Sequence, residues 1–385
     1  MRHYNFLTAK QREKLFLVEP TAFDFNSDKD LLSTALGGTL YCPAIRENLL
    51  TDIVKMSHKG ASSIVVCLED SIPDDRLPEA EANLTALLRE LKERDTVSDL
   101  PLLFVRVRTP QHLMKVAEQN KGLLGTLTGF VFPKFEDITG AATDFVDGLK
   151  AINQDYDRPL YFMPVLESPS IVHRETRDEV LSGVKGILDA NKDRLLSVRI
   201  GATDMSSVYG VRRPADFTVY DVHVIASAIA DIVNVFGRAQ DGYTITGAVW
   251  EHFNVERIFK PQLREALFSE DKNLRRQLLT SGDDTFIREI QLDRANGITG
   301  KTIIHPSHIK LVHALSVVTH EEYSDALTIT AGDNESGGAT ASFYRNKMNE
   351  IKPHLAWARK TINRAKAFGV ANQDVDFVDF LETSI

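Results

Sequence analysis

The amino-acid sequence predicts an α/β protein, a (β/α)8 barrel of the TIM type with a C-terminal helical extension. Short apolar runs occur eight times within the 385 residues, and most intervals between them have room for a helix. Alternating strands and helices imply a parallel sheet with right-handed crossovers, and eight such units suit a closed barrel better than an open sheet. No GxGxxG motif follows an early strand and no GxxxxGKS/T motif is present, which removes the usual support for an open nucleotide-binding sheet.

The eight strand candidates are short, apolar and followed by polar or charged residues. In chain order they are GTLYCPA (38–44), SSIVVCLED (62–70), PLLFVRVRT (101–109), TGFVFPKF (128–135), LYFMPVLES (160–168), LLSVRIGATD (195–204), YTITGAVWE (243–251) and GKTIIHPS (300–307). Helical patterns lie between them, for instance NLLTDIVKMSHKG after the first and DEVLSGVKGILDANKD after the fifth. We therefore predict the barrel over residues 38–320.

Two predicted regions flank the barrel. Residues 1–37 form an N-terminal lead-in, in which TAKQREKLF is a short helix candidate. Residues 321–385 form the C-terminal extension, where the polar, Gly-rich stretch TAGDNESGGATAS predicts a loop or lid. Beyond it, KMNEIKPHLAWARKTINRAKAF has the periodicity and basic end of a long helix that Pro353 interrupts early.

Composition and charge argue against several classes of protein. A hydrophobic content of 43% can build a sizeable core, and no apolar run reaches the roughly 18 to 20 residues of a membrane span. The net charge of −9 is spread over mixed-sign helices, which argues against a general nucleic-acid surface. The N-terminus is polar rather than signal-like, so we expect a cytoplasmic protein. Cys42 and Cys67 lie in apolar strand runs without Cys-x-x-Cys spacing and are predicted to be buried thiols.

The predicted strand ends carry many polar side chains. The active site of such a barrel lies at the carboxyl-terminal ends of the strands, so residues there are candidates for function. They are Arg46, Glu69, Asp70, Arg106, Arg108, Lys134, Glu167, Asp204, Glu251 and His305. Charges of both signs are therefore expected to meet at one mouth of the barrel.

Side-chain alternation along a strand predicts which residues share a face. It groups Arg106 with Arg108, Met163 and Val165 with Glu167, and Ile200 and Ala202 with Asp204. If these faces point inward, Glu167 and Asp204 meet on neighbouring strands. Two carboxylates with room for water and substrate oxygens suit Mg²⁺.

Arginine beside a metal site would bind a substrate carboxylate through two hydrogen bonds. A metal ion and an arginine together make a receptor for an α-keto acid, whose carbonyl or enolate the cation can stabilise as a Lewis acid. Cleavage or formation of a carbon–carbon bond requires that stabilisation. We take Arg46, Arg106 and Glu251 as the candidate substrate-binding residues.

Seven motifs follow one another at the predicted strand ends. They are YCPAIRENLL, VVCLEDSIPDD, FVRVR, GFVFPKFE, PVLESP, IGATDMSSVYG and KTIIHPSHI. In this order they resemble the citrate lyase beta-subunit-like superfamily, Mg²⁺-dependent carbon–carbon bond lyases that include malyl-CoA and citramalyl-CoA lyases. The resemblance runs from residue 38 to 312 and rests on the series, because each motif alone is weak.

This resemblance implies a (β/α)8 barrel that assembles as a trimer or hexamer. It also implies that the Glu of the LES motif and the Asp of GATD, here Glu167 and Asp204, hold Mg²⁺. Arg106 would bind the substrate carboxylate, and Arg46 matches the arginine that follows the first strand in the family.

The same matching implies roles for three more charged residues. Glu69 and Asp70 would organise the waters of the metal and the substrate-binding Arg106. Lys134 would occupy the PK position of the family. These four residues are the expected catalytic residues.

Two departures from the family pattern bear on the substrate. Ala44 of YCPA replaces a glycine whose backbone lies near the substrate or its thioester arm in the family. YRNKMNE corresponds to a D-G-x-M-x-D stretch of the CoA lyases and keeps Met348 and an acid at Glu350, but lacks the first acid. The substrate is expected to be a keto acid or an acyl thioester, with a CoA thioester less favoured. Glu350 or a metal-bound water is the candidate general acid or base.

Several of these residues also have a structural interpretation. Glu69 and Arg106 could be a buried ion pair that only holds the barrel together. Glu167 and Asp204 could be strand-end residues, with Asp204 capping the helix that follows. His305, followed by a proline, is more typical of a hydrogen-bonded structural residue than of a general base.

Other residues have alternatives of their own. Lys134 could form a Schiff base, which requires a lowered pKa, but substrate contact or a salt bridge with Glu136 or another acid is favoured. Arg199 is expected to face away from the site and pair with an acid on a helix. Trp250 and Tyr209 are expected in the wall or the core.

The leading hypothesis is a Mg²⁺-dependent carbon–carbon bond lyase, or the reverse condensing enzyme, acting on a keto-acid or hydroxy-acid substrate through a metal-stabilised enolate. One alternative is a subunit that binds metal and keto acid, or serves a biosynthetic assembly, without turnover. The other is a Schiff-base aldolase that uses Lys134. The expected partners are a small-molecule substrate and further copies of the chain, with neither nucleic acid nor membrane.

Overall fold

The computed structural model describes residues 1–94, 100–253, 283–332 and 338–383. At its centre eight parallel strands, β1 to β8, close into a barrel in which each strand pairs with the next and β8 pairs with β1. The strands are β1 Gly38–Pro43, β2 Ser63–Cys67, β3 Leu102–Arg106, β4 Gly129–Phe132, β5 Tyr161–Leu166, β6 Val198–Ile200, β7 Ile245–Trp250 and β8 Lys301–Ile303. The predicted (β/α)8 barrel is confirmed.

Helices surround the barrel, and the longer ones bury an apolar stripe against it. The helix Leu77–Lys92, for example, buries Leu84, Leu88 and Leu91, which the helical repeat places on one side. The described helices are Ala9–Leu15, Lys29–Ala35, Leu49–His58, Leu77–Lys92, Pro110–Gln119, Ala141–Asn153, Pro169–Val172, Arg174–Ala190, Ala202–Ser207, His223–Phe236, Asp284–Ala295, Ser307–Ala314, His320–Ala331, Ile351–Phe368 and Phe377–Thr383. None of them is both long and apolar enough to cross a membrane.

Alternating side chains of the strands build two cores. Ile64 and Val66 of β2 pack outward into the core shared with the helices. Val65, between them, belongs with Phe104 and Met163 to a second cluster inside the barrel. Cys42 and Cys67 are buried free thiols, as predicted.

The N-terminal segment contains the predicted short helix, Ala9–Leu15, which begins at a capping box formed by Thr8 and Gln11. The strand Phe16–Val18 follows it and pairs antiparallel with Val370–Ala371 near the other end of the chain. The two flanking segments therefore meet each other outside the barrel.

The C-terminal segment differs from its prediction at Pro353. The long helix Ile351–Phe368 contains this proline in its first turn, so the helix is not interrupted. Proline is tolerated there because a first-turn N–H has no acceptor within the helix.

The predicted Gly-rich loop has a mixed outcome. Residues 333–337 of this stretch lie outside the described part of the chain. Ala339–Ala341 form a short strand that pairs antiparallel with Met348–Glu350. The division into residues 1–37, 38–320 and 321–385 stays a prediction.

Candidate active site

A cavity of about 750 Å³ opens where the barrel strands end. Six of the ten candidate residues line it, which is the convergence predicted from the strand ends. They are Arg46, Asp70, Arg106, Glu167, Asp204 and Glu251. Glu69 and Lys134 join this group through ion pairs with Arg106 and Asp204.

Glu167 is the most buried carboxylate of the cavity. It follows β5 directly and is 3% exposed. Its Oε1 accepts hydrogen bonds from Arg106 Nη2 at 2.9 Å and from the backbone N–H of Lys134 at 3.1 Å. A buried carboxylate needs such partners, because losing its hydration is costly.

Two backbone features hold this carboxylate in place. Lys134 has a φ of +46°, a left-handed conformation that costs a non-glycine residue free energy. In this conformation its backbone N–H donates a hydrogen bond to Glu167. Gly201 lies against the same carboxylate, because a Cβ at this position would stand 2.0 Å from Glu167 Oε2. Only a residue without a side chain fits there.

Glu69 bridges the two cations of the site. Its Oε2 lies 2.9 Å from Arg106 Nη2, and its Oε1 lies 2.7 Å from Lys134 Nζ. Its Oε2 also accepts the backbone N–H of Asp70 at 2.7 Å. Glu69 therefore fixes the positions of both cations relative to the cavity.

Asp204 reaches the cavity by a route that alternation along the strand did not predict. β6 ends at Ile200, and Asp204 lies in the first turn of the helix Ala202–Ser207, where its Oδ1 is 3.6 Å from Lys134 Nζ. Ile200 packs outward into the helix-side core, so the proposed inward face of Ile200, Ala202 and Asp204 is wrong. The capping alternative is also wrong, because Gly201 occupies the N-cap position.

The pKa values reflect this crowding of charge. Burial, and next the Asp204 carboxylate, raise the pKa of Glu167 to about 8 against the opposing effect of Arg106. Burial alone would lower the pKa of Lys134, but Glu69 and the neighbouring acids outweigh it and raise the pKa. Lys134 is therefore a cation at neutral pH.

The donor set fits a hydrated Mg²⁺. Glu167 and Asp204 line the same cavity, and negative charge beside the buried Glu167 favours a bound cation there. Among the residues that the structure describes, no three or more His, Cys, Asp and Glu side chains form a ready metal site. Mg²⁺ commonly takes one or two protein carboxylates and completes its shell with water and substrate oxygens.

The remaining candidates lie at the rim of the cavity or beside it. Arg46 pairs with Asp52 at 2.9 Å, and Glu251 accepts a hydrogen bond from Thr203. His305 hydrogen-bonds to Ser307, as expected, and stacks on Phe253 with ring centroids 4.7 Å apart. Glu350, in the short strand Met348–Glu350, is not part of the cavity lining in this chain.

Arg108 and Arg199 do not lie where the sequence placed them. Arg108 turns to the loop after β2, where it donates to the backbone carbonyls of Leu68 and Ile72. β3 ends at Arg106, so strand alternation does not extend to Arg108. Arg199 points into the barrel rather than to an acid on a helix, because the inward face of β6 is the one opposite Ile200.

Three further predictions have mixed outcomes. Lys134 pairs with Glu69, Asp70 and Asp204, while Glu136 accepts a hydrogen bond from Ser170 instead. Trp250 is buried as predicted and stacks on Phe286. Tyr209 is 42% exposed, so its prediction as a wall or core residue is wrong.

Sequence reasoning missed Tyr41, Gly201 and Thr302, all of which line the cavity. Tyr41 and Thr302 lie within apolar strand runs, before the strand ends at which functional residues of a barrel are expected. Gly201 precedes ATD and could have been recognised from the sequence, since a glycine after a buried strand often marks a position where another group lies close to the backbone.

The fold and the site define an α/β-barrel protein with a mixed acidic and basic cavity at its strand ends. The chain belongs to the family described as C-C bond lyase of the TIM-barrel fold, whose family model matches residues 30–370. The resemblance predicted from the motifs is thereby confirmed, and the chain is a carbon–carbon bond lyase by family. A search among curated proteins found no match.

Two solved structures share the fold. CitE from Mycobacterium tuberculosis, in complex with magnesium, acetoacetate and coenzyme A, is 18% identical, with a TM-score of 0.54 over 86% of this chain and 99% of that one. A citrate lyase from Burkholderia xenovorans is 15% identical, with a TM-score of 0.61 over 97% of this chain and 99% of that one. At these identities the likeness is one of fold.

Proposed function

We propose that this lyase depends on Mg²⁺ and cleaves, or in reverse forms, a carbon–carbon bond of a hydroxy acid that yields a keto acid. The observation that carries the proposal is the buried Glu167, held by Arg106 beside Asp204 in one cavity. The magnesium in the M. tuberculosis CitE structure supports the choice of metal. Glu167 and Asp204 would hold the ion.

The charged residues of the cavity would have different roles in the reaction. A bound Mg²⁺ would act as a Lewis acid toward the oxygen that gains negative charge. Arg106, fixed by Glu69, would bind the substrate carboxylate. Lys134 stays protonated beside Glu69 and Asp70 and would add positive charge at the mouth of the cavity.

The reaction follows from the substrate class. In the cleavage direction the hydroxyl loses its proton, the carbon–oxygen double bond of the keto acid forms, and the adjacent carbon–carbon bond breaks. The electron pair of that bond passes to the second fragment as an enolate, which a proton then quenches. Condensation is the reverse of these steps.

The alternative of a Schiff-base aldolase is not favoured by the site. A Schiff-base lysine needs a lowered pKa so that the amine is neutral. Three carboxylates lie within 4 Å of Lys134 Nζ and raise its pKa instead. An activity assay distinguishes the lyase from the alternative of a subunit without turnover.

We also propose a homo-oligomer, a trimer or hexamer, in a cytoplasmic setting. Phe343 is 71% exposed and Met348 is 61% exposed near the pair of short strands at the C-terminal side, and such apolar side chains are typical of subunit contacts. Light scattering coupled to size-exclusion chromatography will give the subunit number.

Calorimetric titration with Mg²⁺ tests the metal assignment. Glu167→Ala and Asp204→Ala should each weaken binding at least about tenfold, the loss of one charged ligand. Asp216→Ala, which removes an exposed carboxylate outside the cavity lining, should bind as the wild type does. Unchanged affinity in both cavity variants would refute the assignment.

A turnover screen tests the reaction. Keto acids paired with acetyl-CoA and with free carboxylic acids, in the presence of Mg²⁺, should give a condensation product that mass spectrometry detects. Keto-acid binding without any product would instead support the subunit without turnover.

A further inference from the structure

Arg199 is a buried cation inside the barrel, and the described part of the chain offers it no carboxylate partner. It is 1% exposed, and it rises from β6 across the barrel interior. Its Nη1 donates to Thr39 Oγ1 at 3.3 Å and to Met163 Sδ at 3.7 Å, and its Nη2 donates to Thr302 Oγ1 at 2.6 Å. No Asp or Glu within the described ranges forms an ion pair with it, and its Nε has no hydrogen-bond partner.

The surroundings of Arg199 compensate its charge only in part. Tyr41 favours the cation, with its ring 5.6 Å from the guanidinium carbon, but a tyrosine balances a positive charge less well than a carboxylate does. Burial, and to a smaller extent the positive charge of Arg106, lower the pKa of Arg199 and so disfavour the cation. Arginine does not escape this cost by losing its proton, so the charge stays inside the barrel without a carboxylate to balance it.

Arg199 is also part of the cavity that holds the candidate active site. Together with Tyr41 and Thr302 it lines the cavity of about 750 Å³ that contains Glu167 and Arg106. An unpaired cation in the lining of a cavity is a binding site for an anion, because a ligand can bring the missing charge.

The position of Arg199 sets the depth of that anion site. Its backbone pairs with Val165, so it lies one inward-facing residue below the level of Glu167 and Gly201. Successive inward residues of a strand are about 6.6 Å apart. A chain of four or five carbon atoms can bridge a spacing of this order.

We propose that Arg199 binds a second carboxylate of the substrate, so that the keto-acid unit in this cavity is a dicarboxylate. The inference rests on the proposed function, in which Arg106 binds the first carboxylate beside the metal site. The second carboxylate reaches down to Arg199, where the Nε–H and the neighbouring hydroxyl groups receive it. Monocarboxylic keto acids leave the Arg199 charge unpaired and bind more weakly.

Matched pairs of keto acids test this proposal on the wild-type protein. Oxaloacetate and 2-oxobutyrate have four carbons, and 2-oxoglutarate and 2-oxopentanoate have five. With Mg²⁺ present, calorimetry should show that at least one dicarboxylate binds tenfold or more tightly than its matched monocarboxylate, the effect of one charge-assisted contact. Equal affinities within both pairs would overturn the proposal without any variant.

Substitutions at Arg199 test whether this residue causes the tighter binding of dicarboxylates. Arg199→Met should reduce the preference for the dicarboxylate to threefold or less, while the monocarboxylate affinity stays within threefold of wild type. Arg199→Lys should keep part of this preference. Arg212→Met, which removes an exposed arginine of the same cavity lining, should keep it in full. A preference that survives Arg199→Met, or disappears with Arg212→Met alone, would overturn the proposal.

Thermal unfolding adds a readout that separates a ligand site from a structural residue. Arg199→Met replaces an unpaired buried charge with an uncharged side chain of similar volume, so the melting temperature should stay unchanged or rise. A lowered melting temperature together with an unchanged dicarboxylate preference would show that Arg199 is structural. Monocarboxylate binding without any preference would leave the proposed function intact, whereas no Mg²⁺-dependent binding of any keto acid would refute both.

Discussion

Gly201 touches the carboxylate of Glu167: a Cβ on the glycine would stand 2.0 Å from Oε2 and 2.6 Å from the Cβ of the glutamate. The φ of Gly201 is −102°, an ordinary value for any residue. The glycine is therefore required for space and not for its backbone conformation. This contact brings the end of β5 and the start of the helix Ala202–Ser207 together at the proposed metal site.

We expect Gly201→Ala to weaken Mg²⁺ binding at least about tenfold, because the new methyl group displaces the Glu167 carboxylate. Calorimetric titration measures the loss, and circular dichroism confirms that the fold is retained. Gly186→Ala is the matched control, since Gly186 lies in the helix Arg174–Ala190 with open space at its Cβ position. It should stabilise the protein by about 0.5 to 1 kcal/mol and leave Mg²⁺ binding unchanged. Wild-type metal affinity in Gly201→Ala would contradict the assignment of Glu167.

Arg106→Lys should weaken keto-acid binding about tenfold or more while Mg²⁺ still binds. Lysine keeps the positive charge beside Glu69 and Glu167 but loses the planar fork that binds a carboxylate through two hydrogen bonds. Titration with pyruvate at saturating Mg²⁺ gives the dissociation constant. Arg212→Lys, at an exposed position of the cavity, serves as the control. Equal pyruvate affinity of Arg106→Lys and wild type would show that Arg106 only holds the barrel together.

Lys134 should not form a covalent adduct with substrate. Its ammonium lies 2.7 Å from Glu69 Oε1, and the raised pKa keeps it protonated at neutral pH. Incubation with pyruvate and borohydride, followed by mass spectrometry of the intact protein, should therefore show no increase in mass. An added mass that is present in the wild type and absent in Lys134→Arg would establish the Schiff-base alternative.

Stability should fall as the solution becomes acidic, partly because of His3. This residue is buried, hydrogen-bonds to the Ala35 carbonyl at 3.0 Å and stacks on Phe368. Burial lowers the pKa of His3 to about 3. Below about pH 6.5 the unfolded chain therefore binds a proton at His3 that the folded chain does not bind. The free energy of unfolding decreases as the pH falls toward the folded-state pKa.

Urea unfolding at several pH values measures this effect. From this one histidine we expect a loss of about 2 to 3 kcal/mol in the free energy of unfolding between pH 6.5 and pH 4.5. His3→Gln can keep the bond to the Ala35 carbonyl and does not titrate, so its stability should depend less on pH. The same pH dependence in both proteins would contradict the prediction.

Local sequence patterns were sufficient for most of the architecture. The runs 38–44 and 62–70 are apolar over a strand length and end in polar residues, and β1 and β2 lie within them. Each such run is recognisable on its own because a buried parallel strand must be apolar on both faces. The same reading brought Glu167 and Arg106 to one end of the barrel.

The predictions that failed were those that depended on where a strand ends. β6 has only three residues, so continuing its alternation past Ile200 placed Asp204 on a strand face that does not exist. β3 ends at Arg106, and the same extension misplaced Arg108. An error of two residues in a strand end is common in sequence-based prediction, and it changes the direction of every side chain beyond that end.

The sequence by itself determined the barrel, the family and the polar strand ends, because short-range periodicity and motif order carry that information. The tertiary structure decided which face of β6 points inward, and with it the burial of Arg199 inside the barrel. It also decided that Gly201 meets Glu167 and that Lys134 lies among Glu69, Asp70 and Asp204. Alternation groups the side chains of one strand, but the register between neighbouring strands selects the face that turns to the barrel axis.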